Sequence, residues 1–344
     1  MRISLLTQNL AEASEASFDL AEFITNAPTN NADIYVEFSQ EDNRRLDGTS
    51  LINPAILTNN KYKLLTQESL NGTTRAKQNI VSTVFIKEGL PVKVLNKGHI
   101  SVSPQPDAYG RLKYMGSFLA STLHTGQGFT KGVVYIKLDI GRTNVLLLNM
   151  HLPVITKPKH GPPQDPTLGF EYRRTTFEYL LNQMMKLKLI DSKTTVLIGG
   201  DLNFRQDENG LNQLNVLLKA KQGYKKLLAR ELKELIVPKG STKRITCKFR
   251  NPWTRCRTRN APKNGFTREY IKQTQEQCGD ELRIPSRCDR FLLMSDTDIN
   301  IVYYQSKFIQ KTSDHNAVLA TLDINQRPER AASSRKFSNN RRDA

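Results

Sequence analysis

Short apolar runs rich in Val, Ile and Leu recur along this chain, each closed by Gly, Asn, Pro or a polar pair. That pattern predicts strands. Residues 3–10 read as a first strand, and Asp33 to Phe38 as a second that ends near Gln40-Glu41. Further strands are expected at Ile80–Ile86, Val92–Leu95, Tyr114–Leu119, Val133–Leu138 and Val145–Asn149, then at Arg290–Met294, Ile299–Tyr304 and Val318–Asp323. Helical spacing is rarer. Phe177, Leu181, Met184 and Leu187 recur at helical intervals, which predicts an amphipathic helix over Glu171–Leu187 with that stripe in the core. Shorter helices are expected at Asp19–Thr25 and Leu211–Lys219, and His160–Pro166 reads as a loop. Asn251–Arg283 has little periodicity and many charges, so it reads as a long loop; Arg327–Ala344 reads as a disordered tail.

One more run, Val196-Leu197-Ile198, is broken by Gly199-Gly200 and followed by Asp201 and Asn203. In an extended segment residues i and i+2 point to the same side. A carboxylate and a carboxamide can thus aim at one point from the end of a rigid strand. A metal-assisted hydrolase needs such a pair, a base for the attacking water and a polar group to hold it. Other strand ends carry similar groups: Asn9, Glu41, Asn149-Met150-His151 and Ser313-Asp314-His315. Singly, each has an ordinary explanation: a turn former, a loop acid, a core histidine, a cap. Together they point to one site drawn from both halves of the chain, and hence to one domain. Strand-rich segments with few helices suggest two packed sheets with helices outside.

Composition supports a globular chain, with 344 residues, 38% hydrophobic and 24% charged. No apolar stretch has the length of a membrane-spanning helix. Met1-Arg2-Ile3-Ser4 enters a strand pattern at once and acidic Glu12, Glu15 and Asp19 follow, unlike a signal peptide, so a cytoplasmic location is expected. Cys247, Cys256, Cys278 and Cys288 show no CxxC spacing, which makes zinc a weak idea and reduced thiols the expectation. The net charge is +18; residues 221–274 hold 16 Lys/Arg against 3 Asp/Glu, and the tail after Gln326 holds 6 against 2. Such a surplus reads either as a solvated face or as a funnel for polyanions: phosphorylated small molecules, an anionic membrane surface or nucleic acid.

The set Gln40-Glu41, Asn149-x-His151-Leu152, Gly200-Asp201-Leu202-Asn203 and Ser313-Asp314-His315 resembles the endonuclease/exonuclease/phosphatase superfamily over roughly residues 3–324. Gly200-Asp-Leu-Asn-Phe-Arg205 is similar to GDLNYR, and Pro285-Ser-Arg-Cys-Asp-Arg-Phe-Leu292 to PxWCDRIL, both motifs of the inositol polyphosphate 5-phosphatases. Thr130-Lys131-Gly132-Val133 is similar to their NKGGV segment and Thr246-Cys247-Lys248-Phe249 to PTYKY. Arg287 stands where Trp is usual, Val133 where a second Gly is, Cys247 where Tyr is, and Asn316-Ala317 where Lys-Pro is common.

The resemblance implies an α/β four-layer sandwich, two packed and mostly antiparallel β-sheets flanked by helices. It also implies one catalytic domain over residues 1–326, with 251–283 as a basic loop and 327–344 as a tail. It implies Mg²⁺, with Glu41 and Asn9 as metal ligands. Asp201 is carried over as the base, Asn203 as the group that orients water, His315 as a donor to the phosphoryl oxygens and Asp289 as its orienting partner. His151 is expected at the scissile phosphate and Asp314 at the same corner. Lys131, Lys248 and Arg290 are candidates for other substrate phosphates, with Arg173 or Arg174 weaker ones. The implied activity is a 5-phosphatase acting on inositol phosphates or phosphoinositides, with peripheral membrane contact as a further expectation. A nuclease of the same superfamily acting on DNA or RNA, and a non-enzymatic binder of anionic membranes or nucleic acid, are the alternatives. The sequence leaves the oligomeric state open.

Overall fold

A computed structural model describes residues 1–10, 32–43, 51, 61–71, 79–102, 130–141, 143–153, 166–204, 213–219, 230–235, 288–308, 313 and 315–325. Its strands are β1 (Arg2–Asn9), β2 (Ile34–Asp42), β3 (Tyr62–Leu70), β4 (Asn79–Lys87), β5 (Lys93–Val102), β6 (Lys131–Asp139), β7 (Asn144–His151), β8 (Thr194–Asp201), β9 (Lys233–Glu234), β10 (Asp289–Met294), β11 (Ile299–Phe308) and β12 (Asn316–Ile324). Two helices are described, α1 (Pro166–Lys186) and α2 (Gln213–Lys219).

The strands form two 6-stranded sheets, ordered β11-β12-β1-β2-β4-β3 and β5-β6-β7-β8-β10-β9. Only β1–β2 and β7–β8 pair in parallel among the described strands; the other pairings are antiparallel. These are the packed, mostly antiparallel sheets the sequence led us to expect. Period two sorts the side chains onto the faces. Ile3, Leu5, Val36 and Phe38 of the first sheet meet Leu147, Leu197 and Phe291 of the second in a core between them. Leu146, Leu148, Val196 and Ile198, on the other face of β7 and β8, pack against Phe177, Leu181 and Met184 of α1 and Leu214 and Leu217 of α2. β8 is buried along its whole length, which explains its unbroken apolar run. On the outer face of the first sheet Leu6, Leu10, Tyr35, Phe85 and Leu319 are buried in a further cluster. The helix expected at Asp19–Thr25 lies outside the described residues, as does the strand expected at Tyr114–Leu119.

Several boundaries differ from the sequence reading. α1 starts at Pro166, a residue suited to a first helical turn because it lacks an N–H that would go unused there. The helix ends before Leu187, which is 49% exposed and therefore not part of the core stripe. β5 runs on from Lys93 to Val102 through the polar stretch Asn96-Lys97-Gly98-His99. β3 and the two-residue β9 were not anticipated. β3 and β5 are edge strands, and exposed edges need no alternating pattern. Their polar side chains join the two sheets: Lys97 Nζ donates to Gln67 O at 2.8 Å and His99 Nδ1 lies 3.2 Å from Glu68 Oε1. The hydrogen bond with His99 holds the Glu68 carboxyl below its ordinary pKa. No described helix is long and apolar enough to cross a membrane.

Candidate functional site

The pairing brings one set of strand ends together. β1 and β2 are parallel and finish side by side at Asn9 and Gln40; β7 and β8 do the same at His151 and Asp201. Antiparallel β10 and β12 start at that same end, so Asp289 lies opposite Asp201 and His315 just precedes Asn316. Polar groups spread over the chain thus converge at one rim of the sandwich.

Asp201 stands at the centre and is 2% exposed. Its Oδ2 accepts from Asn9 Nδ2 at 3.1 Å, across the gap between the sheets, and its Oδ1 accepts from the Asn203 N–H at 3.1 Å. His315 Nε2 is 3.8 Å from the same Oδ2, and His315 Nδ1 is 2.8 Å from Asp289 Oδ2. Asp289, His315 and Asp201 therefore form a buried line, with their ligand atoms within 4.8 Å of one another. Carboxylate on Nδ1 fixes which ring nitrogen faces Asp201. Ser313 holds the corner: its Oγ donates to Asn9 O at 2.5 Å and accepts from the His315 N–H at 3.0 Å.

His151 Nε2 lies 3.5 Å from Asp201 Oδ2 and 3.6 Å from Glu41 Oε1. Glu41 reaches this point because β2 is irregular. Ser39 pairs with Val81 but Asp42 with Asn79, so one extra residue is accommodated, and Glu41 takes φ +50°. Plain alternation would send Glu41 to the outer face with Ser39. The bulge turns it to the rim instead, and Asp42 shares the outer side with Ser39, whose Oγ donates to it at 2.5 Å. Asn203 also has a left-handed backbone, φ +52°, and its Nδ2 donates to Leu152 O at 2.9 Å.

The expected substrate cations part ways. Lys131 joins the centre: its Nζ is within hydrogen-bond distance of His151 Nε2 and 3.6 Å from Glu41 Oε1. Arg290 does not. It is fully buried, donates to Phe204 O at 3.0 Å and lies 3.5 Å from Glu234 Oε1. The cause is alternation along β10: Asp289 faces between the sheets, so Arg290 must face the helix side. The arginines of α1 are also committed elsewhere, Arg173 to Gln213 at 2.8 Å and Arg174 to Glu171 and Glu178. Asp314 and Lys248 lie outside the described residues, as do Arg205, Arg287 and the whole basic segment 251–283.

Beneath the rim is a polar layer in which Gln40 and Asn149, known from the sequence only as members of the motifs, meet Thr7. Gln40 Nε2 donates to Asn149 Oδ1 at 2.7 Å and to Thr7 Oγ1 at 3.2 Å. Thr7 and Asn149 precede Asn9 and His151 by two residues, and that spacing was the available signal.

The donor set suits a hard divalent cation. Glu41 and Asn9 offer oxygen, and Mg²⁺ takes one or two carboxylates while keeping waters. Asn203 Oδ1 is buried with no hydrogen-bond partner among the described residues, which fits a group directed at a bound water or ligand. The buried Asp201, Asp289 and His315 cluster is compatible with a divalent metal as well.

Residues 6–321 match the model of the Endonuclease/Exonuclease/phosphatase family 2. No curated protein sequence matches the chain. Among solved structures, a Cimex nitrophorin in its ferrous NO complex is similar at 14% identity and TM-score 0.50, covering 94% of this chain and 98% of that one. The inositol polyphosphate 5-phosphatase domain of SpSynaptojanin, in complex with inositol (1,4)-bisphosphate and calcium ion, is 18% identical with TM-score 0.49, covering 94% and 84%. D. rerio TDP2, complexed with a single-strand DNA product, is 13% identical with TM-score 0.47, covering 94% and 99%.

Proposed function

We propose, from the premise that this chain belongs to the endonuclease/exonuclease/phosphatase family, that it is a Mg²⁺-dependent phosphatase removing the 5-phosphate of inositol polyphosphates or phosphoinositides. The fold alone does not carry the reading, since one fold hosts many chemistries. The observation that carries it is the buried line Asp289–His315–Asp201, with Asn9 and Asn203 both hydrogen-bonded to Asp201. A purely structural core has no reason to gather two carboxylates and an imidazole at the ends of strands from two sheets. The motifs around Asp201 and Asp289 direct the reading to inositol phosphates. The catalytic domain is taken as residues 1–326, with 251–283 as a basic loop within it and 327–344 as a tail.

Asp201 takes a proton from the attacking water, which Asn203 orients. Its two hydrogen bonds from Asn9 and Asn203 keep both oxygens in place for that transfer. His315, steadied by Asp289, offers its Nε2 proton to the phosphoryl oxygens as charge builds on them. His151 and Lys131 face the same space and bind the phosphoryl group before and during transfer. Glu41, with Asn9, would hold Mg²⁺, which supplies Lewis-acid polarisation of the phosphoryl group and steadies the leaving alkoxide. Asp314 is assigned to this corner and Lys248 to an outer phosphate of the substrate.

The net charge of +18 serves a polyphosphate substrate, and it would serve a nucleic acid equally. The deciding experiment gives purified protein and Mg²⁺ a panel of inositol polyphosphates, phosphoinositide vesicles, plasmid DNA and RNA. Phosphate release from the inositol compounds with nucleic acid left intact is the expected result. Nicking or digestion of nucleic acid without phosphate release would replace the phosphatase reading by a nuclease, and binding without either reaction would leave a non-enzymatic binder.

A further inference from the structure

We propose that Asn149 is a positioning residue for the metal: it holds the β2 bulge that aims Glu41 and thereby sets cation affinity from the opposite sheet. The inference rests on the reading of Glu41 as a metal ligand and extends it to a residue that touches neither ion nor substrate.

The argument starts from the bulge. A bulge breaks the ladder between two strands and leaves backbone groups without their usual partners. Here the break follows the Ser39–Val81 pair. Asn149, on β7 of the other sheet, donates its Nδ2 to both of these carbonyls, at 2.8 Å to Val81 O and 3.2 Å to Ser39 O. Its Oδ1 accepts from Gln40 Nε2 at 2.7 Å. One carboxamide thus grips both strands at the break, along with the residue just before Glu41.

Asn149 is fully buried, so water does not compete for these bonds. The bulge also needs holding. Glu41 sits at φ +50°, a conformation that is strained for a non-glycine residue and persists only where its surroundings enforce it. Asn149 lies two residues before His151 on the same face of β7, so the contact also sets the distance between Glu41 and the histidine on the far side of the site. Neither leucine nor aspartate does the same work. Leucine has the volume without the bonds, and aspartate accepts from Gln40 but cannot donate to two carbonyls.

The test measures Mg²⁺ binding by calorimetry, without substrate, in wild type, Asn149→Leu and Leu147→Ala. Leu147 lies on the same strand and the same face, in the core between the sheets, so its truncation reports what mere destabilisation does to the site. Groups that orient metal ligands typically change metal affinity about 10–100-fold. Asn149→Leu is expected to raise the Mg²⁺ dissociation constant about tenfold or more, with Leu147→Ala within about twofold of wild type. Excess Mg²⁺ should restore turnover in Asn149→Leu with KM for substrate unchanged. An unaltered dissociation constant in Asn149→Leu, or an equal loss in both variants, overturns the proposal. If Asn149→Leu does not fold, Asn149→Ser, which cannot span the gap, takes its place under the same criteria. Wild-type protein that binds no Mg²⁺ overturns the metal reading itself, and with it this inference; normal binding in both wild type and the Asn149 variant overturns only the latter.

Discussion

Gly200 offers the sharpest link between backbone and chemistry. It occupies φ +127°, and a Cβ placed on it would lie 2.0 Å from Met150 O and 3.0 Å from Met150 C and N. A carbon–oxygen contact settles at about 3.3 Å or more, so β7 and β8 would have to part by more than about 1 Å. That displacement falls one residue before Asp201, whose pairing partner across the two strands is His151. A misplacement of about 1 Å in a catalytic group can reduce rate about 10²-fold. The strained φ adds about 1–3 kcal/mol and the forced contact a further 1–3 kcal/mol or so, giving Gly200→Ala a loss of roughly 2–6 kcal/mol in stability. Gly89→Ala is the matched control: φ is +83° but nothing among the described residues lies within 4 Å of the added Cβ, and the turn sits at the opposite end of the sandwich. It should lose stability through strain alone and keep its activity. Thermal unfolding and phosphate release from inositol 1,4,5-trisphosphate, measured on both variants, check the reasoning. A Gly200→Ala enzyme with unchanged kcat/KM and no greater loss of stability than Gly89→Ala would refute it.

The other expectations are more direct. Asp201→Asn and His315→Ala should each lower kcat by roughly 10²–10⁴-fold, and Asp289→Asn by less because it acts through His315; steady-state kinetics with intact circular dichroism would check this, and near-normal rates in the first two would displace the site. The Asp323 carboxyl, held below its ordinary pKa by a two-pronged hydrogen bond from Arg2 at 2.8 and 2.9 Å, should contribute about 0.2–1 kcal/mol near neutral pH. A depressed folded-state pKa means this contribution is present above the unfolded value, about 3.9, and fades as pH falls through the lower folded value. The stability gap between wild type and Asp323→Asn should therefore close on acidification, and a gap that widens would reverse the assignment. Replacing Arg255, Arg257 and Arg259 with Ser should weaken binding of phosphoinositide vesicles more than that of a soluble inositol phosphate, with kcat nearly unchanged and the effect shrinking at high salt; equal binding to both before and after would leave the segment as a solvated face.

What could be read in the sequence, and what could not, follows from where each residue's information lies. A strand buried on both faces, such as β8, announces itself by an unbroken apolar run. β3 escaped because an edge strand with exposed Lys63 and half-buried Gln67 and Glu68 carries no alternation. The residues that converge at the rim were legible as motifs, since their polar types end apolar strands. Arg290 was misread because a motif gives adjacency and not direction: next to Asp289 in sequence, it points to the other face. Glu41 was found by motif, but its route to the rim needs a bulge that the sequence does not mark. Asn149 was legible as a motif member, but its bonds to residues remote in sequence emerge only when the two sheets are packed.

The measurement closest to the central claim is phosphate release from inositol 1,4,5-trisphosphate by wild type and Glu41→Gln, prepared together and titrated with Mg²⁺. Wild type should be silent in chelator and active as Mg²⁺ saturates, and Glu41→Gln should be folded, with weakened Mg²⁺ dependence and strongly reduced turnover. Full wild-type activity in excess chelator, or unaltered turnover in Glu41→Gln, would contradict the metal-assisted phosphatase assigned to this site.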